Sequence, residues 1–312
     1  MCSRTKQVMR GGGAAAVALI MLFTLNLSTL SAAVPQQGGS TKAVKKMRVV
    51  TSIQPLLFFV KKVGGEHVDV KVMVPPGANP HSYDPTPGQM IALGKAQLFV
   101  KAGSGIEFEL DWMNKFSALN PDMEVCNASQ GAGLIEMPAK RHDHGHEHRH
   151  ERLDPHFWLS PQNGILIAKN VERSFAKIDP SHAGEYEENR RKLELQLKAL
   201  SKEIAKKLSG LKNRVFMVFH PAWGYYANEF NLVQIAAEEE GKELTPKKMQ
   251  RIIGQAREHG IKVVFVSPSF STFQAETIAR EIGGVTQPVD PLSGNYIGNL
   301  RRATDAFVTS MQ

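Results

Sequence analysis

The stretch Met47-Arg-Val-Val-Thr-Ser-Ile53-Gln-Pro-Leu-Leu-Phe-Phe-Val-Lys-Lys-Val63-Gly-Gly-Glu-His-Val68-Asp-Val-Lys-Val-Met-Val74 decides the fold class. Met47–Ile53 is short and β-branched, which predicts a strand. Gln54–Val63 carries its apolar residues in a run long enough for a helix, and Gly64-Gly65 closes it. Val68–Val74 then predicts a second strand. A strand, a helix and a strand in this order make a parallel pair with a crossover helix. The same alternation continues outward. Residues 89–95 predict a helix, 97–101 a strand, and Met123–Asn127 another strand. Beyond residue 212, Val215–Phe219, Leu232–Ala236 and Val263–Val266 predict strands. Thr245-Pro246 opens a helix to about Gly260, and Ser271 caps a helix to Ile282. A short strand leads to Val289-Asp290-Pro291. The class is α/β with parallel sheets, in two regions.

Between the two regions lies the longest regular element. Ser160-Pro161 starts a helix that runs to about Ile178. From Ala183 to Leu211 no Gly or Pro interrupts until Gly210 except Gly184 near the start, and Leu193, Leu197, Leu200, Ile204, Leu208 and Leu211 form one apolar stripe. A coiled-coil dimer is one reading. A single helix packed along two lobes is preferred, because the stripe sits between two α/β regions and its flanks lack a clear charge pattern. The domain organisation expected is 1–33 signal peptide, 34–45 linker, 46–180 first α/β lobe with a His-rich loop at 138–152, 181–212 long connecting helix, and 213–312 second α/β lobe.

The first 33 residues carry Arg4, Lys6 and Arg10, then an apolar run, then Ser31-Ala32-Ala33. This pattern predicts export with cleavage near Ala33. Cleavage would remove three of the 38 basic residues and none of the 30 acidic ones, leaving an excess of about five positive charges. No basic stripe accompanies that excess, so nucleic acid is not an expected partner. Cys2 would leave with the signal, and Cys126 alone can form no internal disulfide. Cys126 reads as a small buried hydrophobe.

The chemistry is carried by histidine. His142, His144, His146, His148 and His150 alternate with other residues, and no single coordination geometry is fixed by that spacing. They predict a low-affinity collector or sensor of borderline cations. Four other residues share a different context. His81 lies in a Pro-rich loop after a strand, His156 before a capped helix, His220 at the end of Val215–Phe219, and Asp290 after the last strand. Ligands of open parallel sheets bind beyond the carboxyl ends of strands. Two of these residues come from each lobe, so the cleft between the lobes can gather them. Three imidazoles and a carboxylate complete a tetrahedral shell for zinc, Zn2+. Taken singly, His220 reads as a hydrogen-bonded strand-end residue, Asp290 as a turn and His81 as exposed. His67, His182 and His259 sit in polar, surface-like sequence and are assigned no role.

Four motifs together resemble the metal-binding solute receptors of ABC importers, the cluster that includes ZnuA-like zinc receptors and manganese receptors. They are Val74-Pro-Pro-Gly-Ala-Asn-Pro-His81-Ser-Tyr-Asp-Pro-Thr-Pro, Asp154-Pro-His156-Phe-Trp-Leu-Ser-Pro, Phe219-His220-Pro-Ala-Trp-Gly-Tyr-Tyr and Val289-Asp290-Pro-Leu-Ser-Gly. The resemblance covers about residues 46–308. It implies two Rossmann-like lobes, a rigid helix joining them, and a metal cleft whose ligands are His81, His156, His220 and Asp290. Manganese-type members typically place a glutamate at the third ligand. Here it is His220, which favours zinc. Family members often carry Glu-Pro after the strand that matches Val263–Val266, whereas this chain has Ser267-Pro268, and Ser267 is not read as a ligand.

The function implied is a periplasmic, monomeric receptor that captures zinc and delivers it to an ABC permease, without catalysis. A manganese receptor and an exported zinc buffer or metallochaperone are the alternatives. An enzyme is disfavoured. The chain has no His-Glu-x-x-His helix, and 144–149 lacks the Asp and final His of a metallohydrolase signature.

Overall fold

A computed structural model describes residues 46–136, 153–238 and 244–312. The expected signal peptide, linker and the five loop histidines His142–His150 lie outside the described residues. Among the described residues, no helix is long and apolar enough to cross a membrane.

The opening stretch forms the unit its sequence predicts. Strand β1 (Met47–Thr51) leads into α1 (Gln54–Gly64), a short 3-10 turn (Gly65–His67) and β2 (Val68–Val72), and β1 and β2 pair in parallel. Helix α2 (Pro87–Leu93) begins with a capping box in which Thr86 and Gln89 satisfy each other's backbone N–H. Strand β3 (Leu98–Lys101), helix α3 (Glu107–Leu119) and β4 (Glu124–Asn127) complete a parallel sheet of order β2-β1-β3-β4. Cys126 is buried in β4, and burial pushes its thiol up to about 11, so it stays an unreactive apolar group.

Helix α4 (Pro161–Ile178) starts as expected, with the Ser160 hydroxyl accepting from Asn163 N–H. Helix α5 (Ala183–Leu208) has 26 residues. It ends three residues before the expected Leu211, where Ser209-Gly210 turns and Arg214 takes over the Leu208 carbonyl at 3.0 Å. Its stripe Leu193, Leu197, Leu200, Ile204 and Leu208 is buried within this one chain, which removes the need for a coiled-coil partner. Each such leucine contributes about 1.5–3 kcal/mol of burial.

The second sheet repeats the strand order of the first. Strands β5 (Val215–Val218), β6 (Val233–Ala236), β7 (Val263–Val266) and β8 (Val285–Pro288) pair in parallel as β6-β5-β7-β8. Between them run α6 (Gly224–Glu229), α7 (Pro246–Glu258) and α8 (Phe273–Glu281). The α8 cap is Thr272 rather than the expected Ser271, and its hydroxyl bonds Glu276 one turn on. The alternation of β5 sorts two cores. Phe216 and Val218 face an apolar interior shared with the first lobe, whereas Met217 and Phe219 pack with residues of α7 and α8.

The chain ends in α9 (Tyr296–Met311), which crosses back between the lobes. Tyr296 stacks on Phe58 and meets Phe59 edge-on, both of α1, and its hydroxyl donates to Trp158 O at 2.7 Å. At the other end Phe307 packs against Phe216, Trp223 and Phe265 of the second lobe. Two helices, α5 and α9, therefore link the two sheets.

Candidate metal centre

His81, His156 and His220 meet beyond the carboxyl ends of the strands. One ligand nitrogen from each lies within 4.8 Å of the others. His81 sits in the loop after β2, where Asn79 Oδ1 accepts its backbone N–H at 2.9 Å. His156 precedes a 3-10 turn (Phe157–Leu159) that leads to the Ser160 cap of α4. His220 follows β5 by two residues.

Each imidazole is held by a carboxylate at Nδ1. The pairs are His81 with Glu107 at 2.5 Å, His156 with Asp154 at 2.9 Å, and His220 with Glu238 at 3.0 Å. A carboxylate on Nδ1 keeps the proton there and leaves Nε2 as a lone pair. The Nε2 atoms of His156 and His220 stand 3.3 Å apart. Two imidazole ligands about 2.0–2.1 Å from a tetrahedral zinc lie about 3.3–3.4 Å from each other. The pair is thus already spaced for one shared ion.

The local sequence explains each support. Asp154 Oδ1 accepts both the backbone N–H of His156 and its ring, an arrangement that Asp-Pro-His spacing permits. Tyr225 Oη fixes the same segment by donating to Asp154 O at 2.8 Å. At Gly224 a Cβ would lie 2.5 Å from Asp154 Oδ2, so only glycine lets α6 approach this carboxylate. Glu238 reaches His220 because parallel register sets Val218 beside Ala236, and each residue lies two positions further on. Its second oxygen, Oε1, is buried without a hydrogen-bond partner among the described residues. A cation on His220 would offset that charge.

His156 and His220 are buried, whereas the His81 side chain is 23% exposed, so the group opens toward solvent at His81. Phe270, after β7, stacks on the His220 ring with centroids 4.2 Å apart and lies 5.9 Å from His81. Burial, with the neighbouring His156 and His81 and against the pull of Glu238, brings the His220 pKa down to about 4. At neutral pH this ring carries no charge and can ligate.

Asp290 is not part of the three-histidine group. It follows β8, and its Oδ1 accepts the Leu292 N–H at 2.8 Å. Its turn is nevertheless tied to the site, because Trp158 Nε1 donates to Pro291 O at 2.8 Å, two residues from His156. Burial raises the Asp290 pKa against the opposing Leu292 N–H and Arg302. Ser267 is buried, and its hydroxyl accepts from Ser269 N–H at 3.4 Å. Sequence reasoning passed over Glu107 and Glu238 altogether and gave Asp154 no role. Only Asp154 had a local signal, its place two residues before His156.

The chain is similar to known proteins along most of its length. The model of the family described as ZnuA, zinc-uptake complex component A, periplasmic, matches residues 49–310. The high-affinity zinc uptake system protein ZnuA of Bacillus subtilis (strain 168) is 30% identical over 290 residues, 88% of this chain and 91% of that protein. A crystal structure of ZnuA superposes with a TM-score of 0.80 at 35% identity, covering 86% of this chain and 100% of that one. A zinc-bound deletion mutant of ZnuA gives 0.79 at 35% identity, covering 86% and 99%. With a family model that spans nearly all the described residues, the chain belongs to the ZnuA family of periplasmic zinc-uptake components.

Proposed function

We propose that this chain is the zinc-capturing receptor of an ABC importer, with His81, His156 and His220 as the ligands that hold the ion between the lobes. The observation that carries this reading is the Nε2–Nε2 spacing of 3.3 Å, with a carboxylate behind each of the three rings. Two lone pairs so close repel each other unless a cation lies between them, and zinc supplies that cation. Three imidazoles suit zinc better than manganese, which prefers carboxylate and water.

Asp290 is the candidate for the fourth position. To reach it, the carboxylate has to leave the Leu292 N–H, and a nearby cation rewards the ionised form that burial disfavours. A shell closed by four protein ligands leaves no activated water, which suits a carrier. The loaded receptor acts as a monomer and hands zinc to the membrane permease. The five loop histidines, His142 to His150, act as a weaker collector.

Competitive titration of the metal-free protein with zinc and manganese tests the reading, alongside His220→Glu and Asp290→Asn. One tight zinc equivalent that manganese does not displace, weakened in His220→Glu, is the expected result. Equal or stronger manganese binding would reassign the cargo. Unchanged zinc affinity in Asp290→Asn would give the fourth position to water.

A further inference from the structure

A second group of ligand atoms lies at the opposite end of the first sheet. His67, His182 and Glu185 each offer one atom, all within 4.8 Å of one another. His67 immediately precedes β2, whereas His81 follows that strand's carboxyl end. The five residues of β2 alone separate the two places by about 16 Å. We propose that His67, His182 and Glu185 form a second cation site, for zinc or a similar borderline divalent ion, that ties the turn after α1 to the start of α5.

Three observations carry the assignment. First, His182 is prepared in the same way as the cleft histidines. Asp179 Oδ2 sits 2.6 Å from His182 Nδ1, which directs the proton there and leaves Nε2 free. Second, His67 is 9% exposed, yet its Nδ1 is buried without a partner among the described residues. A buried ring nitrogen so placed weakens the packing and marks His67 as kept for more than its fit in the core. Third, His67 Nε2 lies 2.8 Å from Glu185 Oε2, and the His67 and His182 rings stack with centroids 4.0 Å apart at 26°. Stacked imidazoles disfavour a charge on both rings. A metal that takes the His67 Nε2 lone pair displaces the hydrogen bond to Glu185 Oε2, and the ring proton moves to Nδ1.

Two imidazoles and one carboxylate form a three-ligand set with an open fourth position for water. The His182 side chain is 33% exposed and that of Glu185 60%, so ion entry needs only the His182 ring to turn out of the stack. The positive end of α5 and this exposure make the site weaker than the cleft.

The test uses the full chain with His142, His144, His146, His148 and His150 replaced by serine, so that the loop takes no ion. Calorimetric zinc titration is expected to show two equivalents, one tight and one weaker. In the same background Glu185→Gln and His182→Gln are expected to weaken the second by more than about tenfold while the first is unchanged. The retained first equivalent reports that the variants are folded. Loss of the first equivalent in the unsubstituted background would count against the cleft, not this site. A single equivalent in the parent, or a second equivalent that survives both substitutions, overturns the proposal.

Discussion

Glu238 touches no ion in the proposed capture, yet it decides what His220 can do. Its Oε2 holds His220 Nδ1, and its Oε1 is buried in the wall of the cleft without a hydrogen-bond partner among the described residues. Glu238→Gln keeps the size and removes the charge. Zinc affinity is expected to fall about 10–100-fold, read by competition with a chromophoric chelator. Gly224→Ala acts on His156 in a similar way, because the new methyl group displaces the Asp154 carboxylate that orients it. Its zinc affinity should drop while the chain still folds. His220 also sets a pH dependence in the metal-free protein. Its folded pKa of about 4 lies below the unfolded value of 6.5, so the unfolded chain binds the extra proton between them. The stability from burying this neutral ring is therefore complete above about pH 6.5 and is lost as pH falls toward 4. The loss is on the order of 3 kcal/mol. Urea unfolding of zinc-free protein at pH 7 and pH 4.5 measures it, and His220→Asn should flatten the difference. The histidines were legible in the sequence because each stands in a loop motif next to a strand or cap. Their carboxylates were not, since Glu107 and Glu238 reach their partners through sheet packing and strand register. His67 was misread as a surface residue, because its burial comes from His182 and Glu185, more than a hundred positions away.

Helix α5 was readable because its leucines recur every three or four residues over many turns. Its apolar side is fixed to this chain, and its outer side carries Glu187–Arg191, Glu188–Lys192 and Glu194–Lys198 pairs one turn apart. Those pairs, most of them open to solvent, add little. The stability of the element resides in the stripe. Leu200→Ala at its centre is expected to cost about 2–5 kcal/mol in chemical denaturation, with zinc affinity in the folded protein little changed. Helices α3 and α9 went unread although both carry helical spacing, Phe108, Trp112 and Phe116 in one and Leu300, Ala303, Phe307 and Met311 in the other. Neither opens with a side-chain cap, since Ile106 and Asn295 make no such bond. The start signals that marked α4 and α7 are missing there. Cap residues delimit an element for the reader as they do for the chain.

The unread α9 changes the mechanics of the molecule. With α5 alone, the lobes would hinge about a single rod. With α9 packed on α1 at one end and on β5 and β7 residues at the other, twisting one lobe against the other strains two helices and the apolar interior common to both lobes. The Trp158–Pro291 and Tyr296–Trp158 bonds add fixed points between the two sides of the cleft. Ion capture then has to proceed by local movement on the exposed side, where the His81 loop and Phe270 cover the histidines, and not by closure of whole lobes. Small-angle scattering of zinc-free and zinc-loaded protein should accordingly give superimposable curves and equal radii of gyration. Amide exchange should instead slow on zinc loading in the segments around His81 and Phe270. Tyr296→Phe removes the hydroxyl bonds to Trp158 O and Ser160 O, and should loosen the coupling enough for a measurable compaction on zinc binding. A large compaction in the unaltered protein would mean that α5 and α9 bend, and that capture is a hinge closure after all.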